Sequence, residues 1–320
     1  MSKGENKRQA IFDVYKNNLN VLVDNGLVDS IKDQYICPMC LRPHKDINSD
    51  DPLTLEDAPP KSLGGSANTL TCKSCNNTAG HKIDFHLTQR LREIDNSTFI
   101  PGTETAVKVH IDGETFQGKI TVAENGQITM EHSLKNNNPA KLDMAMSKVK
   151  SGKKIDMDFL NSKVISQNLE YALLKTGYLM MFERFGYSLL LNSCFDFVRQ
   201  QLKNPNERIY PEGFWFTPPY HKSMTGVYFI CNPGLECLMA IFNLDTGNSE
   251  KVFGTFLPLP INSISNVITN LNKKLNDNNS KITLTLYPLE QDNSVYLTDV
   301  PNIKAMYDWI DQRKTIDNNE

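Results

Sequence analysis

Four cysteines and a pair of acids carry the chemistry this sequence offers. Cys37-Pro-Met-Cys40 and Cys72-Lys-Ser-Cys75 are two Cys-x-x-Cys pairs on either side of segment 41–71. Each knuckle turns two sulfurs toward one point, and four thiolates satisfy the tetrahedral preference of Zn²⁺. The spacing therefore predicts a structural zinc on Cys37, Cys40, Cys72 and Cys75. The segment between them is longer than a minimal ribbon needs. It contains "LTLEDAPPKSLGG", which sets Glu56 beside Asp57, follows them with Pro59-Pro60 and closes on Gly64-Gly65. Hard divalent cations such as Mg²⁺ take oxygen ligands, so Glu56 and Asp57 are candidates to hold a second ion. The competing reading is ordinary loop chemistry ahead of the prolines.

The elements that must position these groups follow from the local pattern. In the extended "LTLE", Leu53 and Leu55 face one way and Thr54 and Glu56 the other. Pro59-Pro60 bars a helix and stiffens the exit, Gly64-Gly65 supplies a sharp turn, and "SANTLTC" returns as a second extended stretch. A helix, "NNTAGHKIDFHLTQRLREI", is then expected from near Cys75, with Asn76 at its start. Helix N-termini favour anions, so a phosphate is expected beside the acids once a cation neutralises them.

Taken together, the pattern CxxC, then Glu-Asp-x-x-Pro-x-x-Leu-Gly-Gly, then Asn-x-x-x-Cys-x-x-Cys-Asn resembles the zinc-knuckle branch of the HNH endonucleases, over roughly residues 35–92. The resemblance implies the ββα-metal fold and a divalent-metal-dependent cleavage of phosphodiester bonds in DNA. It implies Glu56 and Asn76 as ligands of the catalytic cation and Asn68 as the residue that orients the loop and the base. The general base of the family is His, and here that position is Asp57. Asp is ionised at neutral pH but is a weaker base than His by about 2.5 pKa units, so slower cleavage is expected. Alternatively Asp57 joins Glu56 on the cation and a nearby His serves as base, with His81 better placed than His44 or His86. Many bacterial proteins of this kind serve in defence against foreign DNA, and the resemblance suggests that setting.

The totals fit a soluble α+β protein. A chain of 320 residues with 39% hydrophobic content can bury a core without disulfides, and a formal charge of −3 leaves any nucleic-acid contact to local basic patches. One patch is Lys61, Lys73, Lys82, Arg90 and Arg92, opposed only by Asp84. Another runs from Met130 to Ile155, with Lys135, Lys141, Lys148, Lys150, Lys153 and Lys154. Either reads equally as a solvated face. The N-terminus lacks the apolar core of a secretory signal, and no stretch is apolar enough for a membrane span. A cytoplasmic protein with no membrane partner is the expectation. Cys194, Cys231 and Cys237 stand alone in apolar surroundings and read as packed thiols.

The organisation expected is a helical lead-in over 1–34, the zinc-knuckle module over 35–98, a β-meander and Lys/Asn-rich linker over 99–154, and a larger α+β domain over 155–320. Asp112-Gly113 and Asn125-Gly126 mark tight turns between three strands of the meander. "SQNLEYALLKTGYLMMFERFGY" is the strongest helix, apolar on most faces and closed by Gly186, and is the expected core of the last domain. Trp215, Tyr220 and Tyr228 there are candidates for base stacking, against a core role. That domain is open to target choice, ligand response or self-association into a homo-oligomer. Two functions therefore compete. The first is a DNA endonuclease, and the second is a catalytically degenerate HNH fold that binds nucleic acid or a partner.

Overall fold

The computed structural model describes residues 3–132, 135–149, 155–160, 162–217, 222–277 and 281–317. Lys150, Lys153, Lys154 and Tyr220 lie outside the described residues. The chain is mixed α+β and divides into two compact units. The first comprises Met1–Leu87, Ile165–Leu244 and Lys251–Glu320, and the second Thr88–Val164 with Asp245–Glu250.

Helix α1 (Lys3–Asp24) buries Phe12, Tyr15, Leu19 and Leu22 along one face, and the chain turns at Gly26, whose φ of 66° a side chain would resist. A two-residue pairing of β1 (Tyr35–Ile36) with β2 (Pro43–His44) brackets the first knuckle. Strands β3 (Leu53–Asp57) and β4 (Ala67–Cys72) form the antiparallel hairpin expected, with Glu56 opposite Thr69. A bulge after Glu56 pairs Asp57 with Ala67 and leaves Asn68 as the extra residue. The tip needs its glycine: a Cβ on Gly65 would fall 1.6 Å from the Pro59 carbonyl oxygen. Helix α2 (Lys73–Ala79) follows directly, opens into a wide π turn at Gly80–Asp84, and continues as α3 (Phe85–Ser97). The result is a ββα order in which one long helix is interrupted.

The second unit is built on the meander. Strands β5 (Glu104–Ile111), β6 (Glu114–Val122) and β7 (Ile128–His132) run in sequence, and β8 (Asp156–Phe159) joins the free edge of β5. Asp112 and Gly113 both have positive φ, as a primed hairpin turn requires. Helix α4 (Pro139–Ser147) begins with Pro139 behind an Asn138 cap and covers the sheet. Its Leu142 and Ala145 pack with Val107, Val109, Ile111, Phe116, Ile120 and Val122.

The chain then re-enters the first unit as α5 (Ser166–Phe185), whose apolar residues on nearly every face make it the core helix. Gly177 permits its close approach to the neighbouring sheet, because a Cβ there would lie 2.2 Å from Thr255 Oγ1. After α6 (Tyr187–Leu190) and α7 (Asp196–Lys203) come β9 (Trp215–Phe216), β10 (Gly226–Ile230), β11 (Leu238–Asp245) and β12 (Glu250–Leu257). Helix α8 (Ile264–Asp277), β13 (Leu286–Tyr287), α9 (Val295–Thr298) and α10 (Val300–Asp317) complete the chain. The five strands assemble in the order β13-β10-β11-β12-β9. Trp215 packs its ring against Phe253, and Tyr228 donates its hydroxyl to the Met224 carbonyl at 2.8 Å, so both are engaged in the fold. Among the described residues no helix is long and apolar enough to cross a membrane.

Candidate metal centre and acidic site

The four cysteines converge. The sulfurs of Cys37, Cys40, Cys72 and Cys75 all lie within 4.8 Å of one another, and Cys40 Sγ is 3.7 Å from Cys72 Sγ. A tetrahedron with metal–sulfur bonds of about 2.3 Å has edges of about 3.8 Å, so the spacing suits one small ion, and the all-thiolate donor set suggests zinc. Local structure explains the convergence. The first knuckle is a tight turn, with Leu41 N–H donating to the Cys37 carbonyl, and Leu41 holds a φ of 59°. The second straddles the β4–α2 junction, where Cys72 N–H donates to Cys37 Sγ at 3.4 Å.

This centre is anchored on the core of the same unit. Tyr178 of α5 donates its hydroxyl to the Pro38 carbonyl at 2.7 Å. Tyr187 brackets Ile36, accepting from its N–H at 2.7 Å and donating to its carbonyl at 2.9 Å. Tyr35 donates to the Leu70 carbonyl at 2.6 Å and lies edge-on to Tyr15, Phe182 and Tyr187. Aromatic pairs of this kind each add about 0.5–1.5 kcal/mol beyond their buried area.

The acids are placed by the hairpin and the helices together. Glu56 is 5% exposed; its Oε2 accepts from Thr71 Oγ1 at 2.9 Å and its Oε1 lies 2.7 Å from Lys175 Nζ. The same ammonium is 2.5 Å from Asp84 Oδ2, at the end of the π turn. Lys175 is the buried cation of α5, at 1% exposure, shared by two carboxylates. Burial alone would lower its pKa, but the attraction of Glu56 and then Asp84 more than reverses this and holds it above the ordinary lysine value. Burial raises the carboxyl of Asp84, with Lys175 opposing and Glu56 adding to the rise. Asp84 Oδ1 and Thr69 Oγ1 are buried without a hydrogen-bond partner among the described residues.

The other sequence candidates divide. Asp57 is half-buried, and no hydrogen bond holds its carboxylate among the described residues. Its pKa is raised by burial and then by Glu56, with Lys61, Lys175 and Lys7 opposing. Among the described residues the four cysteines form the one group of three or more His, Cys, Asp or Glu side chains placed to hold a metal ion; Glu56, Asp57 and Asp84 do not form another. Asn76 spends its amide on β3, donating to the Leu55 carbonyl at 2.8 Å and to Thr54 Oγ1 at 3.1 Å. It therefore sets the position of the strand end that carries Glu56. Asn68, the bulge residue, accepts from Ser66 Oγ at 3.2 Å and hydrogen-bonds the Glu183 carboxyl. His81 is exposed and makes no hydrogen bond with Glu56, Asp57 or Asp84. His44 bonds Ser49 and His86 accepts from Ile165 N–H at 3.1 Å, so both serve the fold.

Lys61, Lys73 and Lys82 are exposed in the first unit, and Lys61 lies close enough to Asp57 to act on its charge. Arg90 and Arg92 belong to the second unit, where Arg90 pairs with Glu93 at 3.5 Å and Arg92 is exposed. At the start of α2 the Ser74 amide is taken by a side chain. Asp51 accepts from Ser74 N–H at 3.0 Å and from Ser74 Oγ at 2.6 Å.

Sequence reasoning missed Lys175, and with it the role of Asp84. The signal was available: one lysine stands in the apolar run "YALLKTGYLMMF", and a buried ammonium must find a carboxylate. Comparison with protein-family models, with curated proteins and with solved structures finds no match.

Proposed function

We propose that the chain is a divalent-cation-dependent endonuclease of the HNH type, hydrolysing phosphodiester bonds in DNA, with zinc on the four cysteines as its structural ion. The observation that carries the reading is the acidic face of a ββα hairpin fixed at its base by a four-sulfur centre. That arrangement holds Glu56 and Asp57 at the end of β3, and Asn76 clamps the strand that bears them.

The residues suit hydrolysis. Asp57 is the proton acceptor: as water attacks phosphorus, the O–P bond forms, the proton passes to the Asp57 carboxylate, and the P–O bond to the leaving strand breaks. Its raised pKa moves the carboxyl toward the value a base needs at neutral pH. A hard cation at Glu56 would stabilise the negative charge that develops on the phosphate oxygens. Lys61 and Lys73 are exposed on the hairpin tip and the first turn of α2, where they can meet the backbone phosphates.

A second reading, a degenerate module that binds nucleic acid or a partner, is favoured by one observation: Glu56 is buried and already paired with Lys175, which it shares with Asp84. Nicking of supercoiled plasmid by the zinc-replete protein under Mg²⁺, Mn²⁺ or Ni²⁺, beside a Glu56→Ala control, separates the two. Cleavage that Glu56→Ala abolishes supports the endonuclease. Cleavage absent under every ion, or equal in the control, rejects it.

A further inference from the structure

The cluster at Lys175 is unbalanced. Two carboxylates, Glu56 and Asp84, share one ammonium, and the buried group carries a net negative charge. Uncompensated charge in such a place is costly and draws a proton or a counter-ion. Two oxygens are left over as well. Among the described residues Asp84 Oδ1 has no hydrogen-bond partner, and neither does Thr69 Oγ1. Thr69 is 1% exposed and sits opposite Glu56 in the hairpin register, so the two side chains share a face. The acids face one common point, since Glu56 Oε1 and Asp84 Oδ2 both contact Lys175 Nζ, at 2.7 and 2.5 Å.

We propose that Glu56 and Asp84 form an oxygen-donor site for one hard divalent cation, Mg²⁺ or Mn²⁺, whose place Lys175 holds in the resting protein. As the seat of a catalytic cation the site rests on the endonuclease reading; as a binding site it does not.

Ligand chemistry separates this site from the cysteine centre in the same module. Thiolates select soft or borderline ions, whereas carboxylate and hydroxyl oxygens suit Mg²⁺ and Mn²⁺. Mg²⁺ characteristically takes one or two carboxylates and keeps several waters, which matches a pair of acids better than a closed cage. Asp84, 17% exposed, is the member of the cluster that meets solvent, and the ion enters on its side. Entry exchanges one charge for two: the ammonium releases its carboxylates, and the cluster turns from net negative to net positive, which favours an anion on its solvent side. A phosphodiester is an anion of the right kind. Asp57, outside the pair, stays free to accept a proton.

The test is a Mn²⁺ titration of the zinc-replete full chain, following the free-ion signal by electron paramagnetic resonance. One Mn²⁺ per chain is expected. Asp84→Asn and Glu56→Gln should each weaken binding by more than about tenfold, the loss typical of disturbed metal ligation. Asp84→Asn leaves a neutral Glu56–Lys175 pair and should melt no lower than the parent. Lys175→Gln should bind Mn²⁺ more tightly, because the competitor is gone; unaltered affinity in a folded Lys175→Gln protein overturns the place-holder role. Should that variant not fold, Asp84→Asn decides. Absence of saturable binding at millimolar Mn²⁺, or parental affinity in Asp84→Asn, overturns the site. A protein that binds Mn²⁺ through these acids and never nicks DNA keeps the site and loses the endonuclease reading. Cleavage with Mn²⁺ affinity unchanged in Asp84→Asn does the reverse.

Discussion

Lys175 Nζ stands 2.7 Å from Glu56 Oε1 across 119 positions of sequence. The contact makes α5, a core helix, a working part of a face that the hairpin alone was expected to supply. It also joins the fate of the fold to the state of the acids.

Removing Lys175 should therefore be expensive. Lys175→Ala strands two buried carboxylates, and breaking a buried ion pair by deleting one partner costs about 3–5 kcal/mol. Urea unfolding at neutral pH measures it. Because the folded lysine titrates above its ordinary value of 10.5, the stabilisation is complete below that value and is lost only as pH rises beyond it into strong alkali.

Asp57→Asn should act in the opposite direction. A carboxyl whose pKa is raised on folding binds protons more readily in the native state, so stability falls as pH rises from the ordinary carboxylate value of 3.8 to the raised one. Above that window the ionised Asp57 is a standing cost. Asp57→Asn should raise the melting temperature at neutral pH, and the gain should vanish as pH drops toward 3.8. Under the endonuclease reading the same variant loses cleavage. Paired melting curves at neutral and acidic pH check the first part and plasmid nicking the second.

The sulfur centre should behave as a single structural unit. Cys72→Ser breaks the β4–α2 junction, and elemental analysis should show zinc falling from one per chain to a small fraction. Structural zinc sites contribute on the order of 10 kcal/mol to small modules, so the melting temperature should fall by roughly 10 °C or more. Strong chelators should reproduce the loss in the parent protein.

If DNA is the partner, its backbone meets exposed lysines. Lys61→Ala and Lys73→Ala should each reduce the slope of log K against log salt by about 0.9, with sequence preference unaltered. Fluorescence anisotropy over a salt series, with a cleavage-defective variant, gives the slopes. Slopes equal to the parent's would place the DNA elsewhere.

Much of this was legible in the residues. The two Cys-x-x-Cys pairs define the metal centre because four sulfurs at that spacing have few other uses. Asp112-Gly113 and Asn125-Gly126 mark the hairpins because positive φ selects those residue types, and the apolar run from Tyr171 to Phe185 announces the core helix. The acidic site was legible only by half. Glu56 could be named from its strand, but its partners come from other elements: Asp84 lies beyond a π turn that no local pattern announces, and Lys175 is more than a hundred residues away. The surroundings of Asn68 and His81 were not legible either. Asn68 is the extra residue of a bulge and hydrogen-bonds Glu183, and His81 is exposed on the wide turn, neither of which a local pattern announces.

His86 Nδ1 and Ile165 N–H, 3.1 Å apart, stand where the chain leaves the first unit and where it comes back. An excursion whose two ends adjoin behaves as an insertion, and its length is almost without thermodynamic consequence for the parent scaffold. Loop-closure entropy therefore sets little limit on how much chain stands between these two ends.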